Sequence, residues 1–155
     1  MFRPHAVLIH HCEVADLVGF DAGRIRGILT ARGLRGYHAI HEQVDGEWWT
    51  SVLNPWTAPA EHVRGANSKY LGFAFIADFN KVAPTAEQLK TGARSVAMML
   101  SLFGLSAGDI YPHSAVNDTD CPGRLFPWDR FAGLVRLYRG DGPSVVGWRD
   151  AGASA

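Results

Sequence analysis

The segment Tyr70-Leu71-Gly72-Phe73-Ala74-Phe75-Ile76-Ala77 is apolar at every position, so it has no face to offer water. A run this short, rich in aromatic side chains and flanked by polar residues, reads as a central strand covered on both faces. A strand of that kind needs a sheet around it and further layers above and below. The chain has 155 residues, 47% of them hydrophobic and 19% charged, enough for one compact domain with a real core.

The rest of the chain supplies those layers. Ala6-Val7-Leu8-Ile9 is a second buried strand that ends in His10-His11. A helix is expected from Asp21 to Arg32, with Ile25, Ile28 and Leu29 on one face and Gly33 as its stop. Gly36 to His41 reads as a strand, and Asp45-Gly46 turns it into a hairpin with Trp48 to Val52. Residues 54–69 hold two prolines and several polar side chains, the composition of a surface loop. Thr85 and Gln88 stand in capping-box order before Leu89, Ala93, Val96, Ala97, Leu100 and Phe103, a helical repeat that Gly104 ends. A short strand at Asp109 to Tyr111 leads to His113. A last helix begins near Pro127, with Phe131, Leu134, Val135 and Tyr138 as its buried stripe. The order β-α-β-β-β-α-β-α predicts a single α/β domain over residues 1–139, a central mixed sheet flanked by helices. Residues 140–155, rich in Gly, Ser and Ala, read as a flexible tail.

Charge and composition exclude several functions. Fifteen basic residues balance fifteen acidic ones, so the basic stripe of a nucleic-acid binder is missing. No run is long enough to insert in a membrane, and the first residues lack the apolar stretch of a secretory signal. Cys12 and Cys121 are more consistent with metal or packing roles than with a bridge, and Cys12 reads as a small buried hydrophobe.

Chemistry concentrates in His113-Ser-Ala-Val-Asn-Asp-Thr-Asp-Cys121-Pro122-Gly123. An imidazole and a thiol eight positions apart in a Pro-Gly loop can fold onto one zinc ion, although such a pair is equally consistent with packing residues. A third ligand must come from elsewhere, and His10 at a strand end is the natural candidate. Three protein ligands leave the fourth zinc position open for water, the layout of a catalytic site.

Four segments in order carry a resemblance: Val7-Leu8-Ile9-His10-His11, Gly36-Tyr37-His38, His62-Val63-Arg64-Gly65-Ala66-Asn67, and the loop from His113 to Gly123. The helix opening Pro84-Thr85-x-x-Gln88-Leu89 matches too. Over roughly residues 6 to 131 the chain resembles the zinc N-acetylmuramoyl-L-alanine amidases of the phage-lysozyme and peptidoglycan-recognition-protein type. That resemblance implies Zn2+ on His10, His113 and Cys121, with His11 turned away by strand alternation. It places Tyr37 beside the metal and Thr119 towards the substrate carbonyl, as catalytic residues. His62 and Asn67 become substrate-binding candidates, with His62 or Tyr37 as proton donor to the leaving amine. Where relatives carry an Arg or Tyr followed by Asp after the second histidine, Ser114-Ala115 stands here.

The implied partner is peptidoglycan or a muropeptide, cut by a monomeric endolysin that stays cytoplasmic until lysis. A non-catalytic recognition module, a muropeptide-recycling amidase and a polymerase-binding phage amidase are the alternatives. His38 is expected in the core, and His5 and His41 on the surface. Trp48, Trp49 and Trp56 are expected to offer a glycan platform, with at most one of the adjacent pair facing any side.

Overall fold

The computed structural model describes residues 2–14 and 20–140, so nearly all of the expected tail lies outside the described residues. Five strands, β1 (Ala6–His11), β2 (Ala39–Val44), β3 (Glu47–Val52), β4 (Tyr70–Phe75) and β5 (Ile110–Pro112), form one sheet in the order β3-β2-β4-β1-β5. Only the β2–β3 hairpin is antiparallel. Three helices, α1 (Ala22–Ala31), α2 (Ala86–Leu102) and α3 (Trp128–Arg139), complete the expected α/β order.

The apolar segment at 70–75 lies at the centre of the sheet, parallel to β1 on one side and β2 on the other. Its alternation sorts large from small. Leu71, Phe73 and Phe75 join the main core beneath α2 and α3, while Gly72 and Ala74 point to the opposite face. On the large side Phe75, Phe79, Phe126 and Phe131 interlock with ring centroids 5.2–5.8 Å apart. Truncating one such ring to Ala costs about 3–5 kcal/mol. On the small side, helix α1 covers only Ile40, Ala74 and Ile76 through Ile25 and Leu29, which leaves the sheet open next to it.

Helix ends follow the sequence signals. Asp21 Oδ1 accepts from the Arg24 amide at 2.7 Å, and Thr85 Oγ1 from the Gln88 amide at 3.0 Å. Gly33, Gly104 and Gly140 take positive φ after the three helices, as their stops require. Two boundaries differ from the reading. The second strand begins at Ala39 rather than Gly36, because Gly36 has φ of 74° and cannot extend a strand. A 3₁₀ turn at His113–Ala115 replaces plain loop after β5.

His41 corrects the expectation of a surface residue: it is 1% exposed, on the α2 side of β2. Its Nδ1 meets Thr50 Oγ1 at 2.9 Å and its Nε2 meets Thr91 Oγ1 at 3.0 Å, so hydroxyls from β3 and α2 satisfy the ring. His38 is fully buried and His5 exposed, as expected.

A candidate metal centre at the open face of the sheet

Strand β1 carries its two histidines to opposite faces. His10 points to the small-residue side of the sheet, and His11 to the α2 side, where its Nδ1 accepts from the Phe79 amide at 3.0 Å. The imidazole nitrogens of His10 and His113 and the sulfur of Cys121 lie within 4.8 Å of one another. The His10 and His113 ring centroids are 4.4 Å apart, and Cys121 Sγ is 3.8 Å from His10 Nδ1. They stand in an open pocket of about 540 Å³.

Hydrogen bonds hold the cysteine end of the ligand loop. Ser114 N donates to Cys121 O at 2.9 Å and closes the ligand loop, and Thr119 Oγ1 accepts from Cys121 N at 3.2 Å. The His11 amide donates to Cys121 Sγ at 3.4 Å, a contact suited to sulfur carrying negative charge. Gly123 fits against the Phe79 backbone, where a Cβ would come within 2.7 Å.

The electrostatics favour free lone pairs. Burial pushes His10 well below the usual imidazole range, and His62, His113 and His11 push it the same way, so the ring stays neutral. Burial also raises the Cys121 thiol to about 12, against the opposing pull of the His11 amide. The protein by itself therefore holds a thiol; a dipositive ion is what would make it a thiolate. Two imidazoles and one sulfur, close enough to converge, fit a tetrahedral ion with one position left open.

The chain can now be set beside known proteins. A sequence profile described as N-acetylmuramoyl-L-alanine amidase matches residues 2–124. The chain belongs to the N-acetylmuramoyl-L-alanine amidase family. Its fold is similar to that of the N-acetylmuramoyl-L-alanine amidase LysC from Clostridium intestinale URNW, at 25% identity and a TM-score of 0.71, over 85% of each chain. It is similar also to the endolysin amidase LysCS of the same organism, at 26% identity and a TM-score of 0.70, over 85% of this chain and 83% of that one. Drosophila PGRP-LB, solved with tracheal cytotoxin, shares the fold at 20% identity and a TM-score of 0.65, over 83% of this chain and 80% of that one. No curated protein matches the chain by sequence. The family's reaction, hydrolysis of the amide between N-acetylmuramic acid and L-alanine in peptidoglycan, is the activity of this amidase.

The remaining expected residues fall around the amidase pocket. Tyr37 lines it, with its ring 5.1 Å from that of His10. Burial, reinforced by Cys12, Cys121 and Glu13, raises its hydroxyl well above the usual tyrosine range, so it keeps its proton. Thr119 also lines the pocket; its oxygen accepts from Cys121 N, and its proton is free to be donated. Cys12 is half-buried, packed against the small-side core and lining the pocket as well.

His62 and Asn67 reach the pocket, but both nitrogens of His62 and the Oδ1 of Asn67 are engaged within the protein. His62 has Nδ1 3.1 Å from His10 Nε2 and Nε2 3.1 Å from the Tyr70 carbonyl. Asn67 Oδ1 accepts from the amides of His62 and Val63 at 3.0 and 2.9 Å. The segment read as a surface loop is thus a pocket wall with Ala60, His62 and Val63 buried in it. None of the three tryptophans lines the pocket. Trp48 stacks on His41 with centroids 5.4 Å apart, Trp56 packs on the main core, and Trp49 is 55% exposed.

Sequence reasoning missed Asn117, whose Oδ1 lies 3.0 Å from His113 Nε2. Its place inside the ligand loop, four residues after the histidine, was the available signal. A second cluster, His11 with Glu13 and Asp120, also lies within 4.8 Å. Because His11 Nδ1 accepts from Phe79 N, a neutral ring carries its proton on Nε2, which leaves no lone pair there for a metal.

Proposed function

We propose that this amidase works as a mononuclear zinc enzyme, with His10, His113 and Cys121 holding the ion. The convergence of two imidazoles and one sulfur beside an open pocket carries this reading. Histidine and cysteine together select zinc over the harder divalent ions. When bound, zinc would supply a Lewis acid that polarises the scissile carbonyl and acidifies water at neutral pH.

The chain's own groups supply the rest. Tyr37, kept protonated by burial, donates its O–H to the carbonyl oxygen as charge develops there. Thr119 adds a second donor from the ligand loop. With both nitrogens of His62 engaged, the leaving amine takes its proton from the water that attacks, and Tyr37 keeps its own. The pocket admits the muramoyl-peptide junction from the open side of the sheet. The similarity to the endolysin amidase LysCS supports an endolysin role, and we read the chain as a monomer made in the cytoplasm and released at lysis.

The test is digestion of purified peptidoglycan with and without a chelator, with mass analysis of the fragments. Intact glycan strands with new L-alanine amino ends, lost on chelation and restored by zinc, are expected. Stoichiometric zinc and tight wall binding without new ends would instead make the chain a recognition module.

A further inference from the structure

The expected substrate-binding loop does something else, and hydrogen-bond bookkeeping shows what. Its end point is a group that can only accept, the Tyr70 carbonyl, 3.1 Å from His62 Nε2. His62 Nε2 therefore carries hydrogen. His62 is buried against His10, His38 and Gly72 with no carboxylate among its partners, so the ring is neutral and its Nδ1 holds a lone pair. His10 Nε2, 3.1 Å from that lone pair, must then be the donor. One proton remains one proton: His10 Nδ1 is left bare, and it is the nitrogen 3.8 Å from Cys121 Sγ.

The same loop reaches the second histidine by another route. Asn117 Oδ1 accepts from the Arg64 amide at 3.0 Å, while its Nδ2 donates to the Arg64 carbonyl at 3.2 Å. That two-way pairing fixes which end of the amide is oxygen. The oxygen then accepts from His113 Nε2 at 3.0 Å, which leaves His113 Nδ1 bare as well. Inside the loop, Asn67 Oδ1 ties down the amides of His62 and Val63. Gly72 makes room for the His62 ring, where a Cβ would come within 2.6 Å of it.

We propose that residues 62–67 form a positioning clamp that makes both histidines Nδ1 ligands. His62, backed by the Tyr70 carbonyl, sets His10. The Arg64 backbone, through Asn117, sets His113. This deepens the zinc reading and rests on it. It makes His62 a positioning residue rather than a substrate contact, with Asn67 Oδ1 bracing the loop that holds it.

The experiment uses full-length, histidine-15N-labelled protein titrated with zinc alone, read by two-bond 1H–15N spectra, with zinc affinity from chelator competition. Zinc is expected to shift Nδ1 of His10 and of His113 while both Nε2 atoms stay protonated. His62→Leu should weaken zinc binding by about 10- to 100-fold, the usual effect of losing the partner of a ligating histidine. His62→Asn, which keeps an acceptor near the place of Nδ1, should recover most of that loss. A zinc-induced shift at Nε2 of either histidine, or none at either ring, overturns the clamp. So does a His62→Leu protein with wild-type zinc affinity and only a raised KM, the signature of a substrate contact. Zinc bound through Nδ1 without peptidoglycan cleavage would leave the clamp standing and remove the proposed hydrolytic role.

Discussion

Two buried histidine clusters sit on opposite faces of the same sheet, and only one looks out on a pocket. Around His41, the imidazole meets Thr50 and Thr91, and Thr50 in turn meets Ser95 at 2.8 Å. Every polar atom of the ring is satisfied and nothing is left over. Around His10, a ring equally buried spends one nitrogen on His62 and keeps the other for Cys121 and His113. Both rings are pushed below the usual imidazole range mainly by burial. Burial and a perturbed pKa are thus shared by a structural knot and a candidate catalytic centre. What separates them is a surplus lone pair aimed at other donors and open to solvent.

The sharpest way to break that contrast is to remove a ligand. Cys121→Ser and His113→Ala should abolish hydrolysis of purified peptidoglycan and weaken zinc binding, with circular dichroism and melting little changed in the metal-free state. Retained turnover in both variants would place the chemistry elsewhere. Next in size, Tyr37→Phe should cost about 10²–10³ in kcat, the effect of removing one well-placed oxyanion donor, with zinc affinity unchanged. An unaltered kcat would exclude the hydroxyl from the reaction.

The other cluster should behave in the opposite way. His41→Leu removes one hydrogen-bond partner each from the Thr50 and Thr91 hydroxyls and should cost about 1–3 kcal/mol in denaturant unfolding, with kcat per folded molecule unchanged. A pH series sharpens this. Burial lowers His41 to about 4 in the fold, from 6.5 when unfolded, so the unfolded chain binds the extra proton between those values. Its contribution to stability is complete above pH 6.5 and is lost as pH falls towards 4, a change of about 3 kcal/mol at 1.36 kcal/mol per pH unit. His41→Leu should flatten the stability curve across that window; an unchanged slope would show that His41 does not titrate this way. The smallest effect belongs to Trp49→Ala. This exposed ring lies outside the pocket, and cleavage of soluble muropeptide should stay within about twofold of wild type.

Much of this amidase was legible in one dimension. Periodicity separates helices from strands because side chains repeat every ~3.6 residues in one and every 2 in the other. The Asp21 and Thr85 caps and the glycine stops are local chemistry, and they fall where expected. The same alternation lets only one of His10 and His11 face the His113–Cys121 loop, and the family resemblance picks His10. Motif order carries the family, and with it the reaction.

What sequence order could not give is which polar atoms find each other. His41 looks solvent-exposed in a hairpin of polar residues, yet α2 folds over it and supplies Thr91 from fifty positions away. His62 looks like a loop residue open to ligand, yet the Tyr70 carbonyl and His10 consume both its nitrogens. Asn117 gains its meaning only when Arg64, fifty-three residues earlier, comes alongside. The reason is physical: burial makes an unpaired polar atom costly, so partners are assigned by whatever backbone and side chains pack nearby. The sequence by itself determined the strands, the caps and the three side chains proposed to bind metal. Only the tertiary structure decided which nitrogen of His10 and of His113 is left bare, because that depends on which polar atoms pack beside the other one.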